Sequence, residues 1–201
     1  TSDQRSGADL VDGAGGTLLP GLIDTHVHID TVAHLEAAAE WGITTLLDMG
    51  HENAAQLAIL QHRSGLPTLK MAGSPASAPN SMFVKKMGHP ENATVATPDD
   101  AARFVRQRVE ENADYIKILV EDPHVPGSKP LGPERVAAII RAAHDAGLTT
   151  IAHVVSADTL DLAVRAGVDI VTHVALTTDP DAEFEAMLAK RPVTIIPTLT
   201  M

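Results

Sequence analysis

Short apolar runs rich in Val, Ile, Leu and Thr alternate along the chain with longer segments whose apolar positions recur every three or four residues. The short runs predict strands at residues 21–28, 43–48, 67–71, 115–120, 149–154, 169–174 and 193–197. Between them, residues 133–146 set Val136, Ile139, Ile140 and Ala143 on one helical stripe, and residues 98–112 do the same with Ala101, Phe104, Val105 and Val109. Thr97, Pro98 and Asp100 mark the start of the latter as cap, first-turn proline and box acid. Asp179 and Pro180 open a further helix with Phe184, Met187 and Leu188 on one face, and shorter helices fit 33–41, 53–63 and 158–166. The stretch 72–96, rich in Ser, Pro, Asn, Gly and Met, predicts a long loop over the C-terminal ends of the strands, with Lys85 and Lys86 in it.

The alternation has a finer repeat. Three predicted helices stop at Gly42, Gly147 and Gly167, where a left-handed C-terminal residue is favoured. Six residues after each glycine a polar residue closes an apolar strand: Asp48, His153 and His173. Strands separated by helices pair in parallel through right-handed crossovers. Polar groups repeatedly placed at the strand C-termini favour an α/β fold of the (β/α)8 TIM-barrel type, whose active sites lie at that end. The alternative is an open doubly wound sheet. A full barrel takes roughly 250 residues, so a chain of 201 residues with seven strand signals is expected to form strands 1–7 and lack strand 8.

Composition narrows the chemistry. The formal charge of −11 argues against binding a nucleic-acid backbone. No stretch reaches the roughly 20 apolar residues of a membrane span, and the polar start at residues 1–10 does not resemble a signal peptide. A cytoplasmic location is the expectation. There is no Cys, which excludes disulfides, thiolate ligands and a Cys nucleophile. Ten His in a Cys-free chain is the unusual count, and any transition metal must be held by imidazole and oxygen ligands.

Four stretches carry the candidate chemistry. In PGLIDTHVHID, His26 and His28 are two apart, so on a strand both face one side about 7 Å apart, with Asp24 one layer lower. Such a pair can grip an ion at a strand end, or can be two surface histidines. In DYIKILV, Lys117 interrupts an apolar strand. Burial would strip its proton, and a neutral amine can add to CO₂ to give a carbamate; alternatively, the side chain snorkels or pairs with a carboxylate. His153 in TTIAHVV and His173 in DIVTHVA close consecutive units. Each taken singly could be a core histidine. Four His and one Lys at the same end of successive strands point together to a two-metal hydrolytic site.

The order H-x-H on strand one, Lys on strand four, His on strand five and His on strand six resembles the amidohydrolase superfamily of metal-dependent hydrolases. The wording of PGLIDTHVHID, GITTLLDMG, ADYIKILV, AAHDAGLTTIAHV, AGVDIVTHV and IIPTLTM is similar to its branch of imidazolonepropionase-like enzymes and Xaa-Pro dipeptidases. The resemblance implies that His26 and His28 bind the more buried of two Zn²⁺ ions, that carbamylated Lys117 bridges both, and that His153 and His173 bind the second; another divalent metal is an alternative. It implies attack of metal-activated hydroxide on a C–N bond of a small-molecule amide, peptide or cyclic amide. His89, in KKMGHPEN, matches a histidine that faces substrate in the family; its alternative is a solvated loop histidine. Asp48 is open between a supporting or substrate-facing group and a polar strand end.

The resemblance also implies what is not here. Family members carry an Asp at the end of strand eight as metal ligand and general base; after His173 the aspartates are Asp179 and Asp181, in the turn after strand six. Residues 1–19 resemble a remnant of an N-terminal β-sandwich with a lead-in segment, and 20–201 a partial barrel. No catalytic residue is therefore assigned. The chain reads as a fragment, weakly active or inactive alone, needing a complementing segment or forming a homo-oligomer. Two other readings stand beside this one. The first is a deaminase or urea or carbamate hydrolase on the same scaffold. The second is a non-catalytic metal-binding or interaction fragment. A sugar-phosphate barrel is disfavoured, because no Gly-rich phosphate loop follows strand seven.

Overall fold

The computed structural model describes residues 11–51, 53–175 and 181–198. In chain order they form β1 (Leu22–Val27), α1 (Val32–Glu40), β2 (Ile43–Asp48), α2 (Ala54–Leu60), β3 (Thr68–Met71), α3 (Met82–Met87), α4 (Asp100–Glu110), β4 (Tyr115–Leu119), α5 (Pro133–Asp145), β5 (Thr149–His153), α6 (Ala157–Ala166), β6 (Ile170–Thr172), α7 (Ala182–Lys190) and β7 (Thr194–Ile196). All seven expected strands form and every pair is parallel. Gly42, Gly147 and Gly167 take the left-handed φ that ends α1, α5 and α6. The expected helix start at Asp179 and Pro180 lies outside the described residues; α7 is capped by Asp181, whose carboxylate accepts the Phe184 N–H at 2.8 Å.

Strand order decides between the two architectures. It runs β1-β2-β3 and β4-β5-β6-β7 without the reversal that defines a doubly wound sheet. The sheet is also curved far enough for side chains of its first and sixth strands to meet, since the His26 and His173 rings lie 4.9 Å apart. These are βα units of an incomplete (β/α)8 barrel. Leu22 and Ile23 on β1 and Ile195 on β7 remain more than half exposed at the two edge strands.

The stretch between β3 and β4 departs from the expectation of one continuous loop. Residues 71–78 are buried, and α3 follows, carrying Lys85 and Lys86 in its last turn. Ser81 caps α3 by accepting the Val84 N–H, and Gly88 closes it at φ 77°. Ala76 stands in for a strand: its N–H donates to Lys117 O at 2.8 Å, and its own carbonyl accepts the Leu119 N–H at 2.9 Å. Asp114 closes the same gap one layer down, accepting from the Met71 N–H at 2.9 Å and from Lys70 Nζ at 2.8 Å. The seam is thus spanned by a buried segment where a direct β3–β4 ladder is missing.

Helix α4 begins two residues later than the sequence suggests. Pro98 precedes the helix, and the Asp100 carboxylate reaches back to the Thr97 N–H and hydroxyl at 2.8 and 3.0 Å. The acid half of the box forms, whereas Asp99 at the cap position makes no side-chain bond.

Apolar burial falls into three clusters. One under β1–β3 joins Leu35, Leu46, Leu57 and Leu69. One between β4–β6 and helices α4–α7 joins Phe104, Ile116, Ile118, Ile139 and Val171. A small inner cluster joins Met49, Ala72, Tyr115, Ile151 and Ile196. Arg108 on α4 is 1% exposed and lies over the Phe104 ring, 5.0 Å from its centroid. It donates to Ser74 O at 3.0 Å and grips Glu111 with two nitrogens at 2.8 Å. Arg108→Met would strand that carbonyl, so a loss of roughly 3 kcal/mol is expected in urea unfolding. A loss below about 1 kcal/mol would show that the guanidinium is dispensable. Among the described residues no helix is long and apolar enough to cross a membrane.

Candidate active site

Strand ends position every candidate ligand. His26 lies within β1 and His28 just beyond it, where the register against β2 is irregular between Asp24 and Val27. The two ring centroids lie 5.8 Å apart. Asp24 does not join them; its carboxylate accepts the His26 backbone N–H at 3.1 Å. Lys117 is the middle residue of β4 and is 2% exposed. His153 is the last residue of β5. His173 follows β6 at φ 73° with its N–H still donated to Ile196 O, so a left-handed residue turns the side chain off the strand.

These five meet. The His26 ring packs against His28 at 5.8 Å and His173 at 4.9 Å, and His173 against His153 at 4.6 Å. Lys117 Nζ donates to Thr172 Oγ1 at 2.9 Å, and the Thr172 hydroxyl donates to Ala152 O at 3.3 Å. A neutral hydroxyl is a poor partner for a buried ammonium. Burial accordingly lowers the Lys117 amine to about 7. His26 and His153 are lowered to about 3 and His173 to about 4, by burial first and then by the neighbouring bases. Every resolved influence on these groups pushes towards the neutral form, with a lone pair available.

The donor set fits a divalent metal. Neutral imidazoles and a deprotonated amine are what such an ion requires, and His26 Nδ1 is buried without a hydrogen-bond partner, a cost of about 1–3 kcal/mol unless something satisfies it. The His153 and His173 rings meet edge to face, and among the described residues no three His, Asp or Glu side chains already converge on a single point. Two of the imidazoles are held from outside: His28 Nδ1 lies 2.9 Å from Gly50 O and His173 Nδ1 2.8 Å from Thr198 Oγ1.

His89 comes next after the Gly88 turn, its N–H donated to Phe83 O at 3.1 Å. Its ring is 5.5 Å from Phe83, and Phe83 is 5.9 Å from His153. His89 is therefore half-buried one ring away from the cluster. Phe83 itself was not evident in the sequence. With Met82, Val125, Val155 and His153 it lines a pocket of about 80 Å³. Glu121 was also missed. It is buried and accepts from the Met82 N–H at 3.2 Å, the Ser128 hydroxyl at 2.9 Å and the Lys129 N–H at 2.8 Å, fastening α3 to the segment after β4. A carboxylate directly after an apolar strand was the available signal for it. Thr172, the partner of Lys117, carried no signal, since Thr is ordinary in a strand.

The remaining histidines stand apart. His51 accepts the Asn53 N–H at 2.8 Å and faces Asp30 at 3.3 Å. His124 pairs with Asp158 at 3.1 Å and His144, in the last turn of α5, with Asp169 at 2.9 Å.

The chain is similar to known proteins. An uncharacterized protein of Mycobacterium bovis is 26% identical over 216 residues, covering 99% of this chain and 55% of that protein. An enamidase of Eubacterium barkeri is 27% identical over 187 residues, covering 83% of this chain and 45% of the enzyme. A crystal structure of a Xaa-Pro dipeptidase with bound methionine in its active site superposes with a TM-score of 0.73 at 24% identity, covering 89% of this chain and 53% of that one. The chain thus spans about half the length of the relatives it matches. The model of the amidohydrolase family matches residues 17–196, from the approach to β1 through β7. With strand order, the cluster of bases at the strand ends and this match in agreement, the chain belongs to the amidohydrolase family of enzymes.

Proposed function

We propose that the chain forms the metal-holding part of a hydrolase that cleaves C–N bonds of a small-molecule amide or peptide. The observation that carries this reading is the meeting of three desolvated imidazoles, the more exposed His28 and one desolvated lysine from four strands at one end of the barrel. His26 and His28 would hold one ion and His153 and His173 a second. Ions bound there, zinc foremost, would supply an acidified water and a polarised carbonyl. Lys117, whose amine burial lowers to about 7, would add to the carbon of CO₂ and release a proton to solvent, supplying an anionic carbamate as a further ligand. His89 and Phe83 wall the side from which substrate enters, with the apolar pocket of Met82, Val125 and Val155 beside them.

The five groups are all bases, and a carboxylate to accept a proton from water is not among them. General-base help is typically worth about 10²–10⁴-fold, so we take the 201-residue chain to turn over slowly or not at all alone. The site can be tested without turnover. Titration with Zn²⁺ in bicarbonate buffer, read by calorimetry and metal analysis, is expected to give about two ions per chain, as in two-metal sites. His153→Ala is expected to lose at least one. A folded chain that takes up no zinc would end this reading.

A further inference from the structure

A buried carboxylate lies outside the five bases. Asp48 closes β2 and is fully buried, yet it touches none of the proposed ligands. Its Oδ2 accepts the backbone N–H of Ile29, the residue after His28, at 2.8 Å. Its Oδ1 accepts the backbone N–H of Gly50 at 2.9 Å. The Gly50 carbonyl in turn lies 2.9 Å from His28 Nδ1. A carbonyl can only accept, so Nδ1 must carry a proton, and in the neutral ring Nε2 then keeps its lone pair.

We infer that Asp48 is a positioning residue that fixes the tautomer and orientation of His28 by clamping the backbone on both sides of it. One carboxylate oxygen holds the chain that bears the ring, and the other holds the peptide that receives the ring proton. The clamp spans β1 and β2, whose ends the Met49 N–H ties again through Val27 O at 2.9 Å. Gly50 suits the relay because its φ is 144° and a Cβ there would lie 3.0 Å from Pro75 Cγ. His173 lacks such a fix, because the Thr198 hydroxyl facing its Nδ1 can donate or accept.

The consequence for metal binding rests on the function proposed above; the tautomer does not. The test uses the full chain with ¹⁵N-labelled histidine and chelator present, and reads two-bond ¹H–¹⁵N NMR correlations of the His28 ring. Wild type is expected to show a protonated Nδ1 and an unprotonated Nε2. Asp48→Asn, which presents a donor to one of the two amides, is expected to shift His28 towards the Nε2–H form that a solvated histidine side chain prefers. The His153 and His173 rings should be unmoved. Zn²⁺ affinity of this variant is expected to fall 10–100-fold, as for other groups that orient a ligand.

Nε2–H in wild type would overturn the inference, and so would an unchanged Nδ1–H in a folded Asp48→Asn variant. If Asp48→Asn does not fold, Gly50→Ala is the second arm. It displaces the receiving carbonyl with the carboxylate intact, and retention of Nδ1–H there would break the relay. A wild type with the expected tautomer that binds no zinc would sink the proposed function and leave the positioning role standing.

Discussion

Lys117→Met is expected to make the chelator-treated protein more stable than wild type at neutral pH and to cut its zinc uptake to no more than one ion per chain. The lysine amine is lowered from 10.5 to about 7 in the folded chain by burial. Between those two values the unfolded state binds the proton and the folded state does not. Stability of the wild type therefore rises with pH across that window, by up to about 1.4 kcal/mol per unit. At pH 7 the penalty for discarding the proton is on the order of several kcal/mol. Methionine fills the same volume without a charge. It gives up one hydrogen bond to Thr172 Oγ1, whose hydroxyl keeps Ala152 O as its acceptor. Urea unfolding at pH 7, 8.5 and 10 should show wild type converging on a flat Lys117→Met line. Parallel lines would mean that the ammonium is kept in the fold. The same substitution removes the nucleophile for CO₂, so the stabilised variant should hold no more than one ion per chain.

Acid should unfold the chelator-treated chain earlier than its carboxylates alone would dictate. His26, His153 and His173 stay neutral in the fold down to about 3–4, whereas in the unfolded chain they protonate near 6.5. The unfolded state thus binds more protons between those limits. Stability contributed by these groups is complete above about 6.5 and is lost as the pH falls towards 4. With up to three such protons the slope reaches about 4 kcal/mol per pH unit, reduced where the rings are partly solvated. His153→Leu should lower the slope by about one proton. Circular dichroism during urea unfolding at pH 4.5, 5.5 and 6.5 measures it. Equal slopes for the two proteins would mean that His153 is protonated in the fold. Asp169 works in the same sense at lower pH. Burial opposes its ionisation, but the hydrogen bonds from Thr150 and His144 outweigh burial and hold its carboxyl below the usual range.

Much of the architecture was legible because it rests on period and punctuation. The glycines at 42, 147 and 167 end helices for a conformational reason, and the six-residue step from each to Asp48, His153 and His173 is the length of a turn plus a strand. Parallel pairing then forces those ends to one side. The resemblance supplied the assignment of His26, His28 and Lys117 as ligands; the structure shows that the five do meet. What escaped was set by contacts distant in sequence. Helix α3 has a weak pattern of six residues and forms because Ser81 caps it and Glu121, 39 residues from Met82, fixes its first amide. Ala76 reads as loop and acts as a strand because β4 offers it free backbone groups. Thr172 could not be picked out until Lys117 was seen to reach it across 55 residues. His173 was expected within its strand, and its left-handed backbone shows that a site residue can lie just beyond a strand end.

The seam at Ala76 bears on how the molecule comes apart. It divides the hydrogen-bonded sheet into β1–β3, with its own apolar cluster around Leu46 and Leu69, and β4–β7, with another around Ile116 and Ile139. His26 and His28 belong to the first block; Lys117, His153 and His173 belong to the second. The ring contact between His26 and His173 is thus a joint between two potential units of local opening. Anything gripping both sides adds its binding free energy to the cost of separating them. Occupancy of the centre and all-or-none unfolding of the chain should therefore rise and fall together.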